Sequence, residues 1–478
     1  MEIDKDLLIL TTQPEEQPLA KSREEPSCSK SNCEIKESLK RSKSSTKLKA
    51  KRIRQWAESE EVKKINVLEL LNSTAKGRSV IKYYKESKLI NSQCRSEIVR
   101  IVGDKLLNLK QNPSRDDFEE VDKKIRQVFP SESEFVYFIR AKTNGIYQRN
   151  HEGKLPNYIR NQKYYCRKLE TSAEIIQNDF NETSSDEEVS ENSDKISIDE
   201  RNADGWLKEH LEPWEDVLKY WKLTHHLRTK KLTSEINSDQ IYKYFEEYKI
   251  LRLVSGYILL QIDFALQYPN SENSLNNDWE IKREALIKLI SLECKTDEVR
   301  EILSRLSKLT NEEKDNLVFQ CIPDLFGNEP RKRGKGKSVT PRATVAESKE
   351  AFILHVTTAN DINPAISRRL NQMKIGSTLQ PFVLVVGATR AKLSRYYCVI
   401  DTVKYDFTSL KEAFDTCFKA IFALNSKYSS EAYSSWLFVQ QAFYEITTIY
   451  DRKSSNVSTM TGNFQTLLKL EKTKTLES

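Results

Sequence analysis

The stretch LQPFVLVVGATRAKLSRYYCVI, residues 379–400, decides how the chain reads as a fold. Phe382 to Val386 is an unbroken apolar run, mostly β-branched, between Pro381 and Gly387, and Tyr396 to Ile400 is a second such run. Short apolar runs between chain breakers read as strands buried on both faces, because a half-exposed strand would alternate apolar with polar. Working outward, residues 351–358 (AFILHVTT) predict another strand, 361–373 a helix and 402–407 an alternating strand. Ser409 is placed to cap the helix LKEAFDTCFKAIFALN, whose Phe414, Cys417, Phe418, Ile421 and Phe422 would face the sheet. Residues 433–449 predict a last apolar helix. The expectation is an α+β module over residues 343–450, a small sheet covered by helices, followed by a polar tail at 451–478.

The rest of the chain reads as helical. At 478 residues it exceeds one ordinary domain, and 12 Gly with 13 Pro are too few for a turn-rich β fold. With 38% hydrophobic and 31% charged residues, a sizeable part should be solvated tail or linker. Residues 1–55 read as a disordered basic tail. Residues 56–169 read as a basic helical domain, in which Ser114 is placed to cap a helix carrying Phe118, Val121, Ile125 and Val128. Residues 170–205, with SSDEEVSENSD, read as an acidic disordered linker. Residues 206–325 read as a second helical domain and 326–342 as a basic linker. The fold class expected is therefore mostly α, helical bundle domains plus the C-terminal α+β module.

Charge placement narrows the function classes. The net charge of +7 is mild, but it is concentrated. LKRSKSSTKLKAKRIR, residues 39–54, holds two basic clusters across a polar spacer, with Lys40, Arg41, Lys49, Lys51 and Arg52 as the core of a bipartite nuclear-import pattern. Residues 140–168 carry eight cations, Arg149, Lys154, Arg160, Lys163, Arg167 and Lys168 among them, against the single acid Glu152. Tyr147, Tyr158, Tyr164 and Tyr165 are interleaved with them. Cations neutralise phosphates and exposed rings stack on bases, so Arg149, Lys154, Arg160, Lys163, Tyr164, Arg167 and Lys168 are the candidate nucleic-acid contacts. The competing reading is a solvated basic face whose tyrosines belong to the core.

Other motifs carry little chemistry. Gly336-Lys337-Ser338 ends like a phosphate-binding loop, but the glycine required five residues before Gly336 is Arg331, and no apolar strand precedes it. Cys28 and Cys33 stand alone as C-x4-C without a second ligand pair, and His225-His226 are adjacent, so their side chains diverge. No metal, cofactor or catalytic residue is assigned. Cys398 and Cys417 sit in apolar runs and read as buried thiols, which suits a reducing compartment. His355 reads as a core histidine, and Asp401 as an acid at a strand end without a base–nucleophile partner nearby. The apolar run Leu7–Leu10 is too short for a signal peptide, and no run approaches the ~18 apolar residues of a membrane span. A soluble protein, nuclear or otherwise cytoplasmic, is expected.

Several stretches resemble a family of uncharacterised animal proteins abundant in insects. They are AFILHV at 351–356, LQPFVLVVG at 379–387, YYCVIDTVKYDFTSLKEAFDTCFKAIFALNSKY at 396–428 and WLFVQQAFYEI at 436–446. Upstream, LLNSTAKGRSVIKYYKESKLIN at 70–91, GKLPNYIRNQKYYCRKL at 153–169 and SGYILLQIDF at 255–264 are similar to other parts of the same family. The family brings no catalytic residue or activity with it. Its many copies imply descent from a mobile element, which fits a nuclear, nucleic-acid-associated role.

Three functions stand against one another. The first is a non-enzymatic nuclear protein that contacts DNA or RNA through its basic helical domain and uses residues 343–450 for protein partners or self-association. The second is an interaction scaffold whose basic runs serve only import and solubility. The third is a relic mobile-element nuclease or integrase, which needs two or three carboxylates converging on Mg²⁺ and for which only Asp401 suggests itself.

Overall fold

In a computed structural model, residues 59–141, 143–144, 147–148, 151–170, 198–234, 240–294, 296–329, 342–371 and 380–477 are described. The import pattern at 39–54, the acidic tract at 184–194, Arg149 and the basic run at 331–338 lie outside them. Glu61–Ser478 forms one compact unit. It is mostly helical, with a four-stranded sheet near the C-terminus.

The first helices follow one another through consecutive caps. They are α1 (Val67–Asn72), α2 (Ala75–Ser87), α3 (Ser92–Leu109) and α4 (Arg115–Val128). Side chains of Asn66, Thr74, Asn91 and Ser114 accept the first free backbone N–H groups of these helices, and Ser114 with Asp117 completes a capping box. Gly77 lets α2 run against α1 backbone to backbone. A Cβ there would stand 2.7 Å from the carbonyl carbon of Leu71. After a short antiparallel hairpin, β1 (Thr143–Asn144) and β2 (Tyr147–Gln148), α5 (Lys154–Glu170) lies along α3. Leu71, Val102, Leu106, Val121, Ile125 and Leu155 fill this bundle's own core.

The next helices are α6 (Ile198–Glu209), α7 (Trp214–Leu223), α8 (His225–Ser234), α9 (Gln240–Glu247), α10 (Gly256–Gln267), α11 (Trp279–Glu293), α12 (Asp297–Arg305) and α13 (Asn311–Gln320). Then come α14 (Val345–Phe352), β3 (Ile353–Val356), α15 (Ile362–Asn371), β4 (Phe382–Val386), β5 (Arg395–Ile400), β6 (Val403–Phe407), α16 (Leu410–Ala423), α17 (Tyr433–Ala442) and α18 (Ser455–Glu477). The sheet order is β3-β4-β5-β6. β3 is parallel to β4, so α15 is the crossover, and the other pairs are antiparallel. All five residues of β4 are buried, as its apolar run requires. Val383 and Val385 face the large core with Phe414 and Trp436, while Phe382, Leu384 and Val386 face α15 with Leu354 and Val356. Ser409 caps α16 as expected, and Cys398 and Cys417 are buried thiols.

Two boundaries differ from the sequence reading. One apolar cluster takes Trp221, Phe245, Phe264 and Phe319 from the segment expected as a second helical domain, Phe352, Phe414 and Trp436 from the α+β module, and Phe464 from beyond it. Phe319 meets Phe414 at 4.6 Å between ring centroids, and Phe414 stacks on Trp436 at 5.1 Å, so residues 326–342 do not divide two cores. The expected polar tail at 451–478 is also corrected: α18 fills most of it. Val457, Met460, Phe464, Leu467 and Leu468 recur at helical spacing and pack into the same core, a stripe that the surrounding Ser, Thr and Lys conceal in composition.

Candidate nucleic-acid interface

α5 carries the expected basic residues, but they divide by environment. Tyr158 anchors the helix: its hydroxyl donates to Asp104 Oδ1 at 2.6 Å, and its ring covers Gly103, where a Cβ would lie 2.6 Å from Tyr158 Cδ1. Burial and that hydrogen bond push its phenol up to about 12. Arg160 is exposed, donating to the His151 carbonyl at 2.9 Å and to Asn157 Oδ1. Lys163 reaches Asn112 Oδ1 at 2.8 Å, and Tyr164 is 64% exposed. Arg167 follows on the same helical face as Arg160 and Lys163, with Lys168 next to it in the chain. Their side chains lie outside what is described.

Lys154 stands apart from the other cations. It opens α5 beside a buried polar network, is half-buried, and burial followed by the charge of Arg95 holds its ammonium below the usual lysine range. In that network Arg95 Nε and Nη2 donate to Glu132 at 2.8 and 2.7 Å, and Tyr137 donates to the same carboxylate at 2.8 Å. Glu293 at the end of α11 and Asn463 of α18 complete it, with Asn463 Nδ2 donating to Glu293 Oε1 at 2.8 Å.

Sequence reasoning missed a convergence at the foot of α5. His151 Nδ1 accepts from the Ala141 N–H at 3.1 Å, and its ring lies 5.4 Å from that of Phe138. Its pKa is lowered first by burial and then by the charges of Arg115, Arg140 and Arg160, brought together from three separate segments. Arg140 holds Glu119 with contacts of 2.8 and 3.1 Å, and Arg115 holds Asp116 at 3.1 Å. These pairs are exposed, so exchanging the carboxylate for another anion costs little. Spacing in the chain gave no signal for this site, because it exists only once the hairpin returns residues 140 and 151 to the start of α4.

The other candidates resolve into structure. His225 Nδ1 lies 3.0 Å from Asp263 Oδ1, with Thr229 Oγ1 at 3.5 Å from its Nε2, an arrangement like a nucleophile relay. The buried Arg228, whose guanidinium sits 3.7 Å over the Trp221 ring, holds the same carboxylate oxygen at 2.5 Å. Asp263 is therefore the counter-ion of a core arginine. His226 diverges toward Glu200, 3.7 Å away. His355 hydrogen-bonds the Gly387 carbonyl at 2.9 Å. Asp401 occupies the β5–β6 turn at φ 52°, with the Thr402 hydroxyl 3.4 Å away. Among the described residues, no three His, Cys, Asp or Glu side chains are grouped so as to hold a metal ion, and no helix is long and apolar enough to cross a membrane.

A cleft of about 270 Å³ runs along β3, an edge strand among the described residues, and Gln320, Lys349, His355, Arg368 and Arg390 line it. Its cations are answered within the fold: Lys349 by Asp324 at 2.9 Å, Arg390 by Glu298 at 2.8 Å and Arg368 by Glu350. No protein-family model, no curated protein and no solved structure matches the chain.

Proposed function

We propose that this chain is a non-enzymatic nuclear protein that associates with nucleic acid through its basic N-terminal bundle. The observation that carries the reading is the exposed Arg160 on the His151 carbonyl, with the exposed Arg115 and Arg140 close enough to lower the pKa of the same histidine, continued along α5 by Lys163 and the exposed Tyr164. Such a set neutralises phosphates and offers one ring for stacking. The basic clusters at 39–54 support nuclear entry. The shared-core C-terminal module serves as the interaction unit, and the cleft along the β3 edge is where an extended partner strand fits.

The test is binding of the purified full-length protein to labelled duplex and single-stranded DNA and RNA of mixed sequence across a salt series. Affinity should fall linearly in log–log form, with a slope near −0.9 per phosphate neutralised on duplex DNA. Arg140→Glu with Arg160→Glu should weaken binding and flatten the slope by about 2. A chain that binds none of these polymers at low salt is the scaffold of the second reading, and the search then moves to protein partners of residues 343–450.

A further inference from the structure

A regular charged surface of the bundle belongs to α2, which the site above does not include. At roughly 100° per residue, Arg78, Lys82 and Lys85 fall within about 60° of one another over the three turns of this helix. All three are exposed, and their band is opposite Gly77 and Val80, which face the core. Arg78 uses one nitrogen on the Asn72 carbonyl at 2.8 Å, and Glu86 flanks the band at its C-terminal end. Lys82 and Lys85 make no ion pair among the described residues.

Some exposed helical cations elsewhere are answered on their own helix. Arg126 pairs with Asp122 at 2.9 Å, Arg300 with Asp297 at 2.8 Å and Arg305 with Glu301 at 2.5 Å, each one turn away on its own helix. Arg78 and Lys82 stand one turn apart with like charge, a placement that weakens an isolated helix. A helix face that holds three like charges without an acidic partner on its own helix is complementary to an external polyanion.

The framework suits one class of polyanion. α1 and α2 are joined only through Ser73 and Thr74, and the Gly77 contact with Leu71 fixes the second helix across the first. α2 is thus a rigid rod about 20 Å long. Its exposed band is flanked by the small residues Ala75 and Ser79 and carries no exposed aromatic ring for stacking single strands. The major groove of B-form DNA admits such a helix, whereas that of A-form RNA is too deep and narrow.

We propose that α1 and α2 act as a helix-turn-helix unit whose second helix enters the major groove of duplex DNA, with Arg78, Lys82 and Lys85 on phosphates and Ser79 within reach of base edges. The proposal rests on the nucleic-acid reading above and adds the polymer and the element that meets it. The test uses the full-length protein with a mixed-sequence DNA duplex and the corresponding single strand, by fluorescence anisotropy at low and roughly physiological salt. Arg78→Glu, Lys82→Glu and Lys85→Glu together should cut duplex affinity roughly tenfold or more and flatten its salt slope by about 3. Binding of the single strand should change far less. The neutral triple Arg78→Gln, Lys82→Gln, Lys85→Gln should lose duplex affinity in the same direction while keeping the wild-type circular dichroism, which guards against misfolding. Wild-type duplex binding by both triples, with Arg140→Glu and Arg160→Glu still weakening it, would overturn the α2 assignment and leave the broader reading standing. A wild-type protein that binds neither polymer would remove that reading and this one with it.

Discussion

Arg95 and Glu132 form the buried joint between the N-terminal bundle and the rest of the molecule. Their two hydrogen bonds, at 2.8 and 2.7 Å, lie where both side chains are almost fully enclosed, and the same arginine nitrogen reaches Asn463 of α18 at 2.7 Å. Desolvating two charges is costly, and the pair tolerates burial because Tyr137 donates to the Glu132 carboxylate, Asn463 accepts from Arg95 Nη2, and the Glu293 carboxylate stands 3.5 Å from Nη1, which makes no hydrogen bond of its own. Removing one partner strands the other. Arg95→Leu should therefore destabilise the protein by about 3–5 kcal/mol, read by urea denaturation. A loss below about 1 kcal/mol would mean that water enters the joint and the network is not the clamp described.

The C-terminal helix gives a second expectation. Val457, Met460, Phe464, Leu467 and Leu468 are buried against the common core, and each such side chain contributes about 1.5–3 kcal/mol by its burial. Ending the chain after residue 451 removes all five and leaves Arg95 without Asn463. The truncated protein should be insoluble or should melt far below the full chain in a thermal shift assay. A truncated chain with the original melting temperature would show that α18 is an accessory.

How much of this was legible in the sequence depends on whether a signal was local. β4 and β5 could be read from apolar runs between breakers, and α16 from the spacing of Phe414, Phe418 and Ile421 behind the Ser409 cap. The α18 stripe has the same spacing but is diluted by Thr, Ser and Lys, so composition hid it. The single core shared by Phe319 and Phe414 is a tertiary fact that no window of the chain contains. The same holds for the site. The exposure of Arg160 and Tyr164 follows from helical spacing, whereas the lowered pKa of the half-buried Lys154 depends in part on the charge of Arg95, which is distant in the chain. The Arg78, Lys82 and Lys85 band has the local i, i+4, i+7 spacing of one helix face, but nothing in the chain says which face of that helix is left to solvent.

Close packing at two glycines yields a third expectation. Gly103→Ala would push a methyl group into the Tyr158 ring, and Gly77→Ala would push one into the backbone of Leu71. A ring at the surface end of a helix can shift, but a backbone held by two capped helices cannot. Gly77→Ala should thus be the costlier change, by roughly 1–3 kcal/mol or more, and should also lower duplex DNA affinity by tilting α2. Denaturant midpoints of the two variants decide this: equal midpoints would mean that α1 moves freely and does not set the angle of α2.

The last expectation concerns pH and His151. Burial and the neighbouring Arg115, Arg140 and Arg160 lower its pKa in the free fold, so the neutral ring is favoured. The unfolded chain binds the proton at about pH 6.5. The histidine's stabilising contribution is therefore present above that value and is lost as pH falls through it toward the lower folded value. On the nucleic-acid reading proposed above, bound phosphates would reverse the local field. Phosphates that meet the three arginines also favour the imidazolium, so binding raises the pKa of His151 and takes up a proton. Affinity should then climb as pH falls from 7 toward 5.5, by up to about tenfold for each unit of pKa difference between bound and free protein. His151→Gln keeps an acceptor for the Ala141 N–H but cannot titrate, and its affinity should be nearly flat over the same range. Parallel pH profiles for the two proteins would place the nucleic acid away from this histidine.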